Sequence, residues 1–180
     1  MSLRLRELRR SDLGALNRWR HDRRVIDGLG THYAYVAPEV DDAWFSAYLS
    51  DRQRNVRLVI LDDELAAADE PIGCVYLLSI NWVHRHAEFA IMIGREDCRG
   101  RGLGLRATAA MLAHAFRDLG LQRVWLHVHA QNTAARHVYE RAGFKLEGTL
   151  RSALYKDGAF LDVHVMGILA HEHTPPQPAQ

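Results

Sequence analysis

A glycine-rich turn between a strand and a helix constrains this chain more than any other feature. The apolar run Ile91, Met92, Ile93 predicts a strand, and soon after it the sequence is Arg99-Gly100-Arg101-Gly102-Leu103-Gly104. An apolar stripe at helical spacing follows, and Gly120 closes it. Backbone N–H groups that start a helix have no partner within it and lie at the positive end of its dipole. The turn is therefore suited to phosphate or pyrophosphate, with charge-assisted hydrogen bonds from Arg99 and Arg101.

Composition narrows the class of protein. The chain has 180 residues and a net charge of +1, with Lys and Arg spread along it, so neither a nucleic acid nor an anionic membrane is indicated as a partner. No apolar run approaches the roughly 18 residues that a membrane span needs. Cys74 and Cys98 are too few for a disulfide framework, which favours a cytoplasmic location. We expect one domain over residues 1–173 and a disordered, proline-containing tail over 174–180.

Hydrophobic periodicity predicts an α+β domain. Strands are predicted at 3–8, 56–61, 72–80, 87–93, 124–128, 144–150 and 160–169, and helices at 12–22, 39–49, 100–119 and 133–142. The three strands between 56 and 93 have short connections, which predicts an antiparallel meander. In the helix at 39–49, we expect the buried side to hold Val40, Trp44, Ala47 and Tyr48.

Three interpretations of the glycine turn can be weighed from the residues alone. A P-loop requires a Gly-Lys-Ser/Thr ending, which is absent. Residues 102–107 fit the Gly-x-Gly-x-x-Ala form of a dinucleotide fingerprint, but the next strand ends in His129-Ala130-Gln131 and lacks the acidic residue of that motif. The third interpretation is a tight turn with no ligand, which glycines also favour.

Two motifs together resemble those of the GNAT N-acetyltransferase superfamily. Arg-x-x-Gly-x-Gly at the head of a long helix is similar to that family's acetyl-CoA pyrophosphate loop. Residues 132–144, Asn-Thr-Ala-Ala-Arg-His-Val-Tyr-Glu-Arg-Ala-Gly-Phe, are similar to its second signature, Asn-x-x-Ala-x-x-x-Tyr-x-x-x-Gly-Phe. The resemblance implies a central, mixed and mostly antiparallel twisted sheet flanked by helices, with splayed strands that hold acetyl-CoA as co-substrate.

The resemblance also implies which residues bind the cofactor. The backbone of Ile91, Met92 and Ile93 would bind the pantetheine arm, and the turn from Arg99 through Gly100, Arg101, Gly102 and Leu103 to Gly104 would bind the pyrophosphate. Asn132 would bond the pantetheine from the other side. Capping of the helix that follows is an equally good role for Asn132.

Tyr139 and Glu88 are the candidate catalytic residues. A tyrosine pKa near 10 lies above the thiol pKa near 8.5, so a neutral Tyr139 can donate or share a proton with a departing CoA thiolate. A free alkylamine with a pKa near 10.4 must lose a proton before it attacks, and Glu88 could take that proton directly or through water. Alternatively, Tyr139 is a core residue, and Glu88 forms a structural ion pair with Arg85 or with a neighbouring strand. No activated Ser or Cys nucleophile is evident, and Cys98 is interpreted as an incidental thiol, so direct transfer is predicted.

The eleven histidines do not predict a metal site. His127 and His129 share a strand face, but Cys and carboxylate partners at ligand spacing are missing. We therefore expect no metal.

The segment around Glu88 indicates a branch of the superfamily. Ile80-Asn81-Trp82-Val83-His84-Arg85-His86-Ala87-Glu88-Phe89 resembles the corresponding run of bacterial spermidine N-acetyltransferases. The loop at 27–33 lacks that branch's paired acidic residues, and residues 19–22 resemble relatives that acetylate amino-sugar nucleotides or ribosomal-protein N-termini. We expect a small amine, either a polyamine or an amino sugar, as the acceptor. The alternatives are the N-terminus of a protein such as a ribosomal protein, and a non-catalytic acyl-CoA-binding module. The branch also implies a possible homodimer.

Overall fold

A computed structural model describes residues 3–174 of the chain. Residues 1–2 and 175–180 lie outside the described residues, and so does nearly all of the tail expected at 174–180. Seven strands are present: β1 (Leu3–Glu7), β2 (Val56–Asp62), β3 (Gly73–Asn81), β4 (His86–Ile93), β5 (Arg123–His129), β6 (Lys145–Lys156) and β7 (Ala159–Leu169). Five α-helices accompany them: α1 (Leu13–Arg20), α2 (Arg23–Ile26), α3 (Pro38–Ser50), α4 (Leu103–Ala113) and α5 (Thr133–Arg141).

The strands form a single sheet in the order β1-β2-β3-β4-β5-β7-β6. Every neighbouring pair is antiparallel except β4 and β5, which are parallel. The meander predicted for β2, β3 and β4 and the mixed, mostly antiparallel sheet are confirmed. Because a parallel pair needs a crossover, α4 connects β4 to β5 across one face of the sheet.

Apolar side chains are buried on both faces of the sheet. On one face, Met111 and Leu112 of α4 pack with Ile60 of β2 and Leu126 of β5 in the larger core cluster. On the other face, α1 and α3 cover the alternate residues of β2, and Val59 and Leu61 lie in this second cluster. The crossover and the N-terminal helices therefore lie on opposite sides of the sheet.

The helix α3 presents a partly different face to the core from the predicted one. Val40 is 55% exposed, whereas Asp41, Phe45 and Tyr48 are buried. The prediction was therefore wrong for Val40 and Ala47, which are exposed, and right for Tyr48, which is buried, and for Trp44, which packs against the second cluster. The Asp41 carboxylate is buried because Arg20 and Asn17 of α1 bind it. The face of α3 that contains Asp41, Phe45 and Tyr48 therefore lies against the core.

Two further elements differ from expectation. The short helix α2 was not predicted, since four residues carry too little periodicity. Strand β6 extends to Lys156 rather than ending at residue 150, and it pairs with β7 through irregular register between Leu150 and Leu154. Almost all of its residues are exposed, so they show no alternating apolar signal.

Over residues 3–174, no helix combines the length and the apolar character that a bilayer crossing requires.

Candidate active site

Strands β4 and β5 separate after three residue pairs. The pairing runs His86 with Arg123, Ala87 with Val124 and Glu88 with Trp125, yet β4 continues to Ile93. Beyond this point, the edge of β4 that faces β5 has no ladder partner, which leaves backbone N–H and C=O groups free for hydrogen bonds. The V-shaped opening is the splay that the family resemblance implied, and it fits an extended, amide-containing arm such as pantetheine.

The glycine turn lies at the open end of this V, between Ile93 and α4. Gly100 and Gly102 have φ values of +72° and +74°, a left-handed conformation that side chains rarely adopt. A Cβ atom at either position would meet nothing within 4 Å, so the space above the backbone is open. Because α4 begins at Leu103, its first unpaired N–H groups border that space. The turn therefore fits a bulky anion such as a pyrophosphate.

The two arginines of the turn are tied to backbone carbonyl groups. Arg99 donates from Nε to the carbonyl oxygen of Ile93 at 3.3 Å and from Nη1 to that of Arg24 at 3.0 Å. Arg101 donates from Nε to the carbonyl oxygen of Asp97 at 2.8 Å. A guanidinium has five N–H donors, so each arginine braces the turn and keeps donors for an anion.

We call the point where β4 and β5 separate, after Glu88 and Trp125, the apex of the V. Tyr139 of α5 lies next to it, in the larger core cluster. Its ring packs edge-on against Phe89 at 6.2 Å and Phe144 at 5.9 Å between centroids, and the residue is 8% exposed. Burial raises the pKa of Tyr139 to about 12. The phenol is therefore neutral at physiological pH, and it is better suited to donating a hydrogen bond to a thiolate than to giving up its proton outright.

Glu88 lies at the apex on the opposite face from Tyr139. Successive strand residues alternate in direction, so Phe89 points to the Tyr139 side and Glu88 to the other. The Glu88 Oε1 atom is 3.4 Å from Nδ1 of His127, and the two side chains are 31% and 40% exposed. Of the two ion-pair alternatives for Glu88, Arg85 or a neighbouring strand, the structure shows the second, through His127 of β5. A carboxylate and a phenol therefore lie on opposite faces of the sheet at the point where the strands separate.

The contact of His127 with Glu88 was not predicted from the sequence, in which His127 was weighed only as a metal ligand. Among residues 3–174, no group of three or more His, Cys, Asp or Glu side chains is arranged to hold a metal ion. The available signal was the parallel pairing of β4 with β5, which brings position 127 to the face that carries Glu88.

Asn132 uses both ends of its side-chain amide. Its Oδ1 accepts from the backbone N–H of Ala135 at 3.0 Å, so the predicted helix cap is confirmed. Its Nδ2 donates to the carbonyl oxygen of Gly28 at 2.6 Å. Binding of pantetheine by Asn132 stays a prediction, and it would require exchange of the second bond.

A cavity of about 420 Å³ lies between the sheet and the N-terminal helices. One wall comes from Cys74, Tyr76 and residues 90–92 of β3 and β4, and the other from the loop that joins α2 to α3. Arg20 of α1 also borders it, and its guanidinium contacts the buried Asp41 carboxylate. Tyr76 could not be predicted as a lining residue, because its alternation with apolar neighbours is typical of any strand.

Both cysteines are free and buried. Burial raises the pKa of the Cys98 thiol, and it raises that of Cys74 to about 11. Neither thiol is activated as a nucleophile, which agrees with the interpretation of Cys98 as incidental.

Comparison with known proteins identifies the family. The model of the acetyltransferase (GNAT) domain matches residues 2–145. The spermidine N(1)-acetyltransferase of Vibrio cholerae is 31% identical over 171 residues, 95% of each chain, and that of Escherichia coli K12 is 30% identical over 177 residues, 96% of this chain and 88% of the relative. The crystal structure of the Vibrio cholerae spermidine N-acetyltransferase with CoA and spermine superposes with a TM-score of 0.86 at 30% identity, covering 94% of this chain and 96% of that one. The chain belongs to the GNAT family of N-acetyltransferases, enzymes that use acetyl-CoA as co-substrate.

Proposed function

We propose that the chain transfers the acetyl group of acetyl-CoA directly to a primary amine of a small molecule, a polyamine or an amino sugar. The observation that carries this proposal is the apex of the V, where Glu88 with His127 and Tyr139 lie on opposite faces of the sheet. The similarity to spermidine N-acetyltransferases over 95% of the chain supports a small amine as the acceptor.

The free edge of β4 at Ile91, Met92 and Ile93 and the turn from Arg99 to Gly104 would hold the co-substrate. When bound there, acetyl-CoA supplies an acetyl thioester, a carbonyl carbon open to attack by a neutral amine. The turn's N–H groups and arginines hold the anionic end, and the strand edge aligns the arm, so the reacting end is directed toward the apex.

Glu88 and His127 prepare the amine. An ammonium group that enters from the cavity gives a proton to this pair, and the neutral nitrogen can then attack. The new N–C bond forms as the C–S electron pair returns to sulfur. Tyr139 stabilises that sulfur with a hydrogen bond, and the proton that the nitrogen still sheds completes the thiol. No covalent enzyme intermediate is needed.

We also propose a location, a domain organisation, an oligomeric state and partners for the chain. A cytoplasmic location is supported by two free cysteines and by the absence of a candidate span within residues 3–174. A single domain over residues 1–173 is supported by one continuous sheet. Leu146, Leu150 and Phe160 are exposed on the β6–β7 hairpin and would suit a homodimer contact. Acetyl-CoA and the amine are the proposed partners, without nucleic acid, membrane or metal.

The proposal is tested by release of free CoA thiol from acetyl-CoA in the presence of a panel of amines: spermidine, spermine, amino-sugar nucleotides and N-terminal peptides. We expect selective turnover of a small amine. Selective turnover of a peptide would instead establish the protein N-terminus as the acceptor.

Tyr139→Phe is the matched variant, because it keeps the ring packing and removes only the hydroxyl. We expect kcat to fall by about tenfold or more, with acetyl-CoA affinity unchanged. Acetyl-CoA binding without turnover of any amine would favour a non-catalytic acyl-CoA-binding module.

A further inference from the structure

The ammonium group of Lys156, the last residue of β6, reaches across the molecule to the end of α2. Its Nζ donates to the carbonyl oxygens of Ile26 at 2.6 Å, Asp27 at 2.9 Å and Leu29 at 2.8 Å. The residue is 8% exposed; burial lowers the pKa of its ammonium group, and the nearby carboxylates of Asp27 and Asp157 oppose that shift. Three carbonyl groups from one short segment thus hold a buried cation.

The Lys156 ammonium group has no N–H donor left over. An ammonium group has three N–H donors, and all three are used, which compensates for the loss of water around the charge. The carbonyl oxygen between them, that of Gly28, accepts from Asn132 Nδ2 at 2.6 Å. Four consecutive carbonyl groups, 26 to 29, are therefore held by two side chains, and we call Lys156 and Asn132 with these carbonyls the clasp.

His129 lies beside the clasp without contributing a second charge. It is 7% exposed, and neither of its ring nitrogens has a hydrogen-bond partner within the described chain. Burial and the neighbouring Lys156 charge lower the pKa of His129, so the imidazole is neutral near pH 7. Lys156 is thus the cation of this cluster.

The clasp lies at the start of the loop formed by residues 27–37, which joins α2 to α3. Residues 29–32 of that loop, with Ala34 and Val36, form the wall of the 420 Å³ cavity that faces β3 and β4. Within residues 30–37, Val36 N–H donates to His21 Nε2 at 3.3 Å, and its carbonyl oxygen accepts from Asn17 Nδ2 at 2.9 Å. Between these bonds and the clasp, the loop is held by a hydrogen bond from Thr31 to the His32 carbonyl oxygen and by the Arg23 guanidinium over the Tyr33 ring. The clasp therefore holds the N-terminal end of this loop, and Asn17 of α1 and His21, which follows α1, hold its C-terminal end at Val36.

We propose that Lys156 is a positioning residue for the amine substrate, since it fixes the loop that walls the acceptor cavity. The proposal rests on the proposed acetyl transfer, because it takes the cavity as the place where the amine binds. Lys156 touches neither reacting group. Its loss widens the cavity and weakens amine binding, while the cofactor turn keeps the bonds from Arg99 to the Ile93 carbonyl and from Arg101 to the Asp97 carbonyl, which do not involve α2.

Lys156→Met tests this inference with a matched control in the same strand. The chain has only two lysines, and the other, Lys145, begins β6 with an exposed side chain that pairs with Glu172. We expect Lys156→Met to raise the KM for the amine at least fivefold, with the KM for acetyl-CoA changed less than twofold. Lys145→Met is expected to leave both within twofold. Equal changes in both KM values, or no change in either, would overturn the proposal.

Hydrogen exchange gives a readout that needs no amine. Amides of residues 28–36 are expected to exchange faster in Lys156→Met than in Lys145→Met, whereas those of residues 99–106 keep the same rates in both. Unchanged exchange in the loop would overturn the inference even if turnover is observed. Conversely, faster loop exchange in a chain that acetylates no amine would support the clasp while the proposed function failed.

Reductive methylation of the unaltered chain covers the case in which Lys156→Met does not fold. With formaldehyde and a borohydride reductant, Lys145 is expected to be dimethylated and Lys156 to be protected, as read by peptide mass spectrometry. Methylation of Lys156 as fast as Lys145 would show that the clasp does not form in solution, and would overturn the proposal.

Discussion

The part of the molecule proposed to bind acetyl-CoA and the part proposed to bind the amine are built by different kinds of contact. The cofactor region, formed by β4, the glycine turn, α4 and α5, uses backbone geometry: a free strand edge and two glycines with positive φ. The amine region, formed by α1 to α3 and their loops, is held by side chains distant in sequence, through the pair of Arg20 with Asp41 and through the bonds of Lys156 and Asn132 to the carbonyls of residues 26–29. Backbone geometry suits acetyl-CoA, because the structure of that co-substrate does not vary. Side-chain contacts suit the amine, because side chains can change with the acceptor.

The largest effect is expected from Asp41→Ala, which breaks the amine region at its buried ion pair. The Arg20 guanidinium, with 28% of its side chain exposed, would lose its buried carboxylate, at a cost of about 3 kcal/mol in the free energy of unfolding. Urea denaturation measures this cost. The control is Asp42→Ala on the same helix, where the exposed pair with Arg10 is worth less than about 1 kcal/mol. Equal losses in both variants would contradict the assignment.

Gly102→Val tests the cofactor region by the same logic. A β-branched residue at a φ of +74° distorts the turn, and we expect the Kd for acetyl-CoA to rise about tenfold or more, equivalent to about 1.4 kcal/mol. Isothermal titration calorimetry measures it. Gly120→Val is the matched control, because Gly120 also has a positive φ and open space but lies beyond the far end of α4. A similar loss of affinity in that control would mean that general destabilisation is responsible.

Glu88→Gln examines the point where the two regions meet. We expect kcat/KM for the amine to fall about tenfold at pH 7, since the pair with His127 loses its negative charge. The deficit should shrink as pH rises toward the amine pKa near 10.4, because the substrate then needs no base. A pH–rate profile from pH 6.5 to 10 measures this. A deficit that is constant with pH would make Glu88 a structural contact.

His129→Leu is expected to give the smallest change, and it sharpens the description of the clasp. The lowered pKa of His129 means that the folded chain binds fewer protons there than the unfolded chain, so stability is present above the ordinary pKa near 6.5 and is lost as pH falls. The difference in unfolding free energy between pH 7.5 and pH 5.5 should be smaller in the variant. His137→Leu, at an exposed position on α5, should keep the original difference.

The same contrast explains what could be predicted from the sequence. The cofactor region is encoded in two local segments: β4, the glycine turn and α4 lie within residues 86–113, and the second motif, at 132–144, contains α5. Both motifs and the sheet class were therefore predictable. The face of α3 was predicted only in part, because Asp41 is buried by a partner 21 positions away. The clasp joins residues up to 130 positions apart, and no period or spacing in the sequence marks it.

The three-pair contact between β4 and β5 has a consequence for the sheet as a whole. Strands β1 to β4 form one antiparallel unit and β5 to β7 another, and the ladder between them stops at Glu88 and Trp125. An acetyl-CoA arm hydrogen-bonded along the free edge of β4 would act as a short surrogate strand, so the substrate itself would complete the seam. The folded state would then be stabilised in proportion to the logarithm of acetyl-CoA concentration above its Kd, and each release of product would return the two units to their more weakly joined state.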